Sequence, residues 1–285
     1  MITSPFHSVI PLKQFKFLLL GIAAGLILIH LTLTWRSGDT DLLSTSIVLW
    51  IAVSFLLWKK RDILSLESKF FSSLFGILLI TFVLNKSNYL SGFDLFLRIS
   101  PFISALGLSL LASGIKGLKQ YWQEMIIIVF LPLPPGLVFL FVDVPVLTAK
   151  FVAYVLMHLG FEVSCQGTKV MLLTKSVDVR QACSGIHVII QLLGFAFLFL
   201  VIFPTNLKQK ILVPTVAVLL GFVLNGVRVS LMAILVALSN RPAFEYWHTG
   251  NVSLMFSMLS GFIFWLFCLF MLRLNESEIK DSVDI

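Results

Sequence analysis

Charge and cysteine are both scarce in this chain. Asp, Glu, Lys and Arg make up only 12% of its 285 residues, hydrophobic residues make up 58%, and the mean hydropathy is +1.00. A water-soluble fold of this length needs a charged surface, so the shortage excludes one and leaves a multi-pass membrane protein. The 3 cysteines, Cys165, Cys183 and Cys268, form no CxxC pair and no disulfide framework. That argues against zinc and iron–sulfur sites, and no cofactor or metal is indicated. Segments of about 10 residues with alternating polarity are missing, and with them the signature of a transmembrane barrel. The net charge of +7 comes without a long basic block or interleaved aromatic and basic residues, so it does not point to nucleic acid. No small-residue cleavage site accompanies the first apolar stretch, 15–35, which is of full membrane length and stays as a span rather than a signal peptide. Internal repeats and a second soluble domain are lacking too, and the chain reads as one multi-pass domain over 1–285.

What is present is apolar helix. At about 20 apolar residues per span, eight transmembrane helices are expected, near 15–35, 42–58, 70–84, 95–113, 117–133, 184–203, 211–238 and 251–272. The fold class is an all-α integral membrane protein. The fifth helix stops at Leu131-Pro132-Leu133-Pro134-Pro135-Gly136, where the prolines remove backbone donors. Basic residues set the orientation. Lys13 and Lys16, Lys59 to Arg61 with Lys69, Lys116 and Lys119, and Lys208 and Lys210 fall in alternate loops, which are therefore cytoplasmic. Both termini then lie in the cytoplasm, and the loops at 35–41, 85–94, 134–182 and 239–250 lie outside the cytoplasmic membrane.

The segment 134–182 is the least membrane-like part, an extracytoplasmic insertion before helix six. Its first half, 144–159, carries apolar residues at helical spacing and reads as an interfacial or short re-entrant helix. Its second half reads as a hairpin of 161–165 and 170–173 around Gln166-Gly167-Thr168, with 177–180 as a third strand leading to Cys183.

Cys183, in Gln181-Ala182-Cys183-Ser184-Gly185-Ile186, lies where the polar stretch ends and helix six begins. A thiol at a helix start is favoured as thiolate by the exposed N–H groups and the dipole, and thiolate is the form that attacks carbonyl carbon. Arg228 lies inside an apolar run, in Asn225-Gly226-Val227-Arg228-Val229. Counted from position 211, it is about 25 Å along a helix entered from the cytoplasm, close to the outer surface. His248, in Tyr246-Trp247-His248-Thr249-Gly250, lies in the outer loop before helix eight. All three fall at one membrane face on the helices of 183–272. Each also has a plain alternative: a structural cysteine, an arginine snorkelling to the interface, a histidine in an aromatic loop. Their convergence favours a site, because ionisable groups at membrane depth are costly and line functional cavities. Cys183 serves as nucleophile, His248 as acid–base, and Arg228 as oxyanion stabiliser, substrate-carboxylate binder or partner of the thiolate. Asn225, one turn before Arg228, is either a supporting donor or an interhelical hydrogen bond. His187, four residues after Cys183, competes with His248 as its partner. Arg180 either lowers the thiol pKa or faces solvent, Glu245 is a candidate to orient His248, and Cys165 can pair with Cys183 as a disulfide.

The segments Ala182-Cys183-Ser184-Gly185-Ile186, Asn225-Gly226-Val227-Arg228-Val229 and His248, in that order, resemble the exosortase/archaeosortase family of membrane cysteine transpeptidases. The resemblance covers roughly 120–272. It implies Cys, Arg and His roles for Cys183, Arg228 and His248, favouring His248 over His187. It also implies substrate proteins with C-terminal sorting signals: a Pro-Glu-Pro-like motif, an apolar helix and a basic tail. The enzyme would cleave near the motif, as a cysteine peptidase, and transfer the new carboxyl end to an envelope acceptor. A chain ending soon after helix eight lacks the C-terminal periplasmic domain of some relatives and resembles the compact cyanobacterial-type members. A basic outer surface of Lys169, Lys175, Arg180 and Arg241 is suited to an acidic motif. The competing readings are a transporter or polysaccharide-export component that binds an anion through Arg228, and a thiol oxidoreductase using Cys165 and Cys183. No inverted repeat favours the first, and no CxxC the second.

Overall fold

The computed structural model describes residues 12–89, 95–130, 142–172, 175–248 and 251–283. The proline run at 131–136, and Leu173, Thr249 and Gly250, lie outside the described residues. Helix dominates, as an apolar chain in lipid requires: the bilayer offers no partner for backbone N–H and C=O groups, so each segment must satisfy its own. Among the described residues, six helical stretches are long and apolar enough to cross a membrane: Gln14–Ser37, Leu42–Lys60, Phe70–Ser87, Leu95–Val129, Leu207–Ala237 and Met255–Leu274. Val144–His158 and Ile186–Ile202 are shorter apolar helices. The fold is an all-α membrane protein, and helix covers most of the described part of each expected stretch. The fourth and fifth run together over 95–129, and the sixth is a short helix. The chain divides into two compact units, Met1–Leu133 and Pro134–Ile285.

The first unit holds α1 (Leu12–Ser37), α2 (Thr40–Lys60), α3 (Phe70–Ser87), α4 (Leu95–Gly117) and α5 (Trp122–Val129). Asp39 caps α2 by accepting from the Leu42 N–H at 2.9 Å, and its other oxygen takes Arg98 of α4 at 2.7 Å. α3 and α4 touch backbone to backbone at Gly76 and Gly107, since a Cβ on Gly76 would stand 2.6 Å from the Gly107 carbonyl oxygen. The helical path of α4 breaks at Gly114, whose φ is +67°. α5 starts only at Trp122, later than the expected 117, because a 3₁₀ turn, Leu118–Tyr121, intervenes. Ser113 holds that turn, donating to Ser65 O at 2.6 Å and sharing a 2.8 Å hydrogen bond with the Tyr121 hydroxyl.

The second unit holds α6 (Val144–His158), β1 (Val163–Gln166), β2 (Lys169–Leu172), β3 (Lys175–Asp178), α7 (Ile186–Ile202), α8 (Leu207–Ala237), α9 (Arg241–His248) and α10 (Asn251–Val283). The three strands form an antiparallel sheet in the order β1-β2-β3, with Val163 opposite Leu172 and Lys169 opposite Asp178. β3 begins two residues earlier than expected. α8 begins earlier than 211 because Asn206 and Gln209 form a capping box at its start. Two cores share α8. Its C-terminal half packs Val229 and Ala233 against Ala149, Val152 and Leu156 of α6 and Val170 and Leu172 of β2. Its N-terminal half packs Val213 and Ala217 against Leu192, Ala196 and Phe199 of α7 and Phe264, Cys268 and Met271 of α10.

Candidate active site

Cys183 ends a 3₁₀ turn, Gln181–Cys183, two residues ahead of Gly185, the N-cap of α7. The thiol therefore sits on an elbow leading into the helix, not on its first turn. Gly185 makes the elbow: its φ of +85° is a left-handed conformation that glycine adopts without the steric cost of a Cβ. The elbow is hydrogen-bonded internally. Cys183 N–H donates to Arg180 O at 2.9 Å, and both the N–H and the hydroxyl of Ser184 donate to Gln181 O, at 3.2 and 2.7 Å.

Two other helices grip it. Asn225 Nδ2, on α8, donates to the Cys183 carbonyl at 2.9 Å, and the Thr148 hydroxyl, on α6, donates to the Ser184 carbonyl at 3.0 Å. Thr148, Ser184 and Asn225 are all buried. A Cβ on Gly185 would stand 2.7 Å from Cβ, Cγ and Nδ2 of Asn225, so elbow and helix interlock there. The next residue of the motif, Gly226, has the Phe151 ring of α6 in the space its own Cβ would need. Asn225 and Gly226 thus serve contact, one with the elbow and one with α6.

Arg228 follows one turn after Asn225 and is partly buried; its Nε is buried without a hydrogen-bond partner among the described residues. A buried donor left without an acceptor costs about 1–3 kcal/mol, more when charged, and calls for an explanation. His248 is not in a loop, as the aromatic run suggested, but is the last residue of α9, exposed, with its ring stacked on Phe244 at 5.0 Å and 14°. The helix forms because Asn240 caps it through the Ala243 N–H at 3.2 Å and Arg241 pairs with Glu245 at 2.9 Å, four residues on. Glu245 is thereby engaged with Arg241. Among the described residues no hydrogen bond or ion pair joins Cys183, Arg228 and His248 to one another. His187 is exposed on the first turn of α7.

Shared placement links them instead. Lys175 of β3 donates to Val236 O at 2.9 Å and to Ser239 Oγ at 2.6 Å, fixing the sheet to the end of α8. α9 packs against both α8 and α10. α8 is thus the element common to them: it holds the elbow at Asn225, carries Arg228 and packs against α9, which carries His248. The expected basic surface is largely committed: Lys175 to the end of α8, Arg241 to Glu245, and Arg180 loosely to Asp178 at 3.9 Å. Lys169 alone of the four has no side-chain partner among the described residues. All three cysteines are free thiols, so the Cys165–Cys183 disulfide is not formed. Cys165 packs partly buried on the α6–sheet–α8 core, with Sγ 3.7 Å from Gly167 O.

Thr148 carried no signal in the sequence beyond a hydroxyl on an apolar helix. No curated protein and no solved structure gives a significant match to the chain. A family model described as transmembrane exosortase matches residues 35–265. That stretch includes Cys183, Arg228 and His248 and extends into both units, so the chain belongs to the transmembrane exosortase family, a family of protein-sorting membrane transpeptidases.

Proposed function

We propose that this protein is a membrane-embedded cysteine protease or transpeptidase that cleaves C-terminal sorting signals of exported proteins at the outer face of the cytoplasmic membrane. One observation carries the reading. The Cys183 elbow is fastened by Asn225 to the helix that, one turn later, presents Arg228 with a buried Nε that has no hydrogen-bond partner among the described residues. A nucleophile and an orphan cationic donor are thus held on adjoining structure, which is what acyl transfer needs and a structural cysteine does not.

The chemistry follows from the groups. His248 takes the Cys183 thiol proton, and the resulting thiolate attacks the scissile peptide carbonyl, forming a C–S bond and a tetrahedral oxyanion. Arg228 stabilises that oxyanion with fixed donors, which cost no reorganisation during reaction. Collapse of the intermediate breaks the C–N bond, and the departing amine takes a proton from His248, leaving an acyl thioester on Cys183. Water, or an amine of an envelope acceptor, then attacks the thioester and releases the thiol. His248 is exposed at the end of α9, and catalytic hydrogen bonds of this kind often tighten only around bound substrate.

The substrate is a protein tethered by its own transmembrane helix. A Pro-Glu-Pro-like motif just outside that helix brings the scissile bond to the membrane surface. On the reading of the alternating basic loops as cytoplasmic, both termini lie in the cytoplasm and the segments carrying Cys183 and His248 lie outside. Among the basic residues considered for the acidic motif, Lys169 has no side-chain partner among the described residues and Arg180 only a loose one, so these two are suited to meet it.

A co-expressed reporter ending in Pro-Glu-Pro, an apolar helix and a basic tail tests the assignment. Cleavage stops in Cys183→Ala and His248→Ala and falls by about 10²–10³-fold in Arg228→Ala, with each variant present in the membrane. His187→Ala stays close to wild type. Undiminished cleavage by Cys183→Ala removes the nucleophile. An inactive His187→Ala beside an active His248→Ala moves the acid–base role to His187.

A further inference from the structure

We propose that Thr148 and Asn225 are positioning residues, which orient the Cys183 thiol by donating to the two consecutive carbonyls of the elbow that carries it. The inference rests on the reading of Cys183 as nucleophile. The carbonyls of Cys183 and Ser184 precede the N-cap of α7, so no amide of that helix's hydrogen-bonding ladder serves them; the ladder opens with Ile189 N–H donating to Gly185 O at 3.0 Å. Each carbonyl takes instead a side-chain donor from a different helix. Asn225 of α8 holds the peptide plane that follows Cys183, at 2.9 Å, and Thr148 of α6 holds the next one, at 3.0 Å.

The consequence is geometric. Two adjacent peptide planes fixed from two directions leave the chain at Cys183 no freedom to rotate about the elbow. Left-handed Gly185, interlocked with Asn225, fixes the far side. Asn225 also shares a helix face with Arg228, one turn on, so a single side chain ties the thiol's backbone to the guanidinium expected to meet the oxyanion. Thr148 gives α6 a part in the site as well: this short apolar helix, which also packs on the sheet, holds the elbow through the Ser184 carbonyl. Displacing a nucleophile by about 1 Å costs on the order of 10²-fold in rate, so deletion of either donor acts on the chemical step.

The test uses shape-conserving variants of the full-length protein in proteoliposomes, with the reporter described above as substrate and rates expressed per folded enzyme. Thr148→Val keeps the shape and removes the hydroxyl, Thr148→Ser keeps the hydroxyl, and Asn225→Leu keeps approximate shape and removes the donor. Thr148→Val and Asn225→Leu lower kcat by about 10–100-fold and leave KM within about twofold, while Thr148→Ser stays close to wild type. Wild-type kcat in Thr148→Val, or a loss shared equally by Thr148→Ser, overturns the proposal. Where Asn225→Leu does not fold, the Thr148 pair decides. Cys183→Ala, run beside them, separates the two layers. Cleavage that survives in Cys183→Ala overturns the nucleophile; an inactive Cys183→Ala together with wild-type Thr148→Val overturns the positioning role alone.

Discussion

Gly185 is held by two constraints at once. Its φ is +85°, and its α-carbon faces Asn225 at a distance that leaves no room for a methyl group. An alanine there bears the left-handed backbone cost, about 1–2 kcal/mol, and must also push aside the side chain that holds the Cys183 carbonyl. Gly185→Ala therefore lowers the unfolding temperature in detergent and abolishes reporter cleavage even in the fraction that stays folded. Wild-type stability together with wild-type cleavage would contradict this account of the elbow. Cys183 and Arg228 stand out in the sequence because an ionisable group in an apolar run needs a reason. Thr148 does not, because hydroxyls on apolar helices ordinarily bond back to their own helix, and its partner lies 36 positions away.

Among the helices, α2 and α5 are joined by charge as well as by packing. Lys60 Nζ lies 3.0 Å from Glu124 Oε1 and donates to Oε2 at 3.2 Å, with the Glu124 carboxylate almost wholly buried. Removing one partner strands the other charge in a poorly solvated place, a loss of about 3–5 kcal/mol, whereas replacing both with apolar groups relieves it. Lys60→Met and Glu124→Met each lower the unfolding temperature in detergent, and the double variant recovers much of the loss. Simple additivity of the two single effects would show that the pair is not coupled. The helices themselves were largely legible, because lipid demands long apolar segments and leaves few other folds open. Their ends were not. The start of α8 is set by the polar capping residues Asn206 and Gln209, which hydropathy does not register, and the start of α5 by a serine–tyrosine turn. α9 was missed for the same reason: its helical signals, a capping Asn240 and the Arg241–Glu245 pair, lie in a segment too short and polar to read as a span.

At the level of the whole molecule, all three candidate residues belong to the unit Pro134–Ile285, and that unit builds the site from non-adjacent parts of the chain. The sheet leads into the elbow, α6 and α8 hold it, and α9, which carries His248, packs on α8 and α10. The order Cys, Arg, His along the chain was readable; the bracing by α6, a contact between distant segments, was not. The account stands or falls on an acyl-enzyme at Cys183. Wild-type protein, incubated with the tethered reporter, acid-quenched and digested, can be mapped by mass spectrometry. The account predicts a hydroxylamine-labile thioester joining Cys183 to the reporter's new carboxyl end, and none on Cys165 or Cys268. Cleaved reporter with an unmodified Cys183, matched by undiminished cleavage in Cys183→Ala, would contradict it.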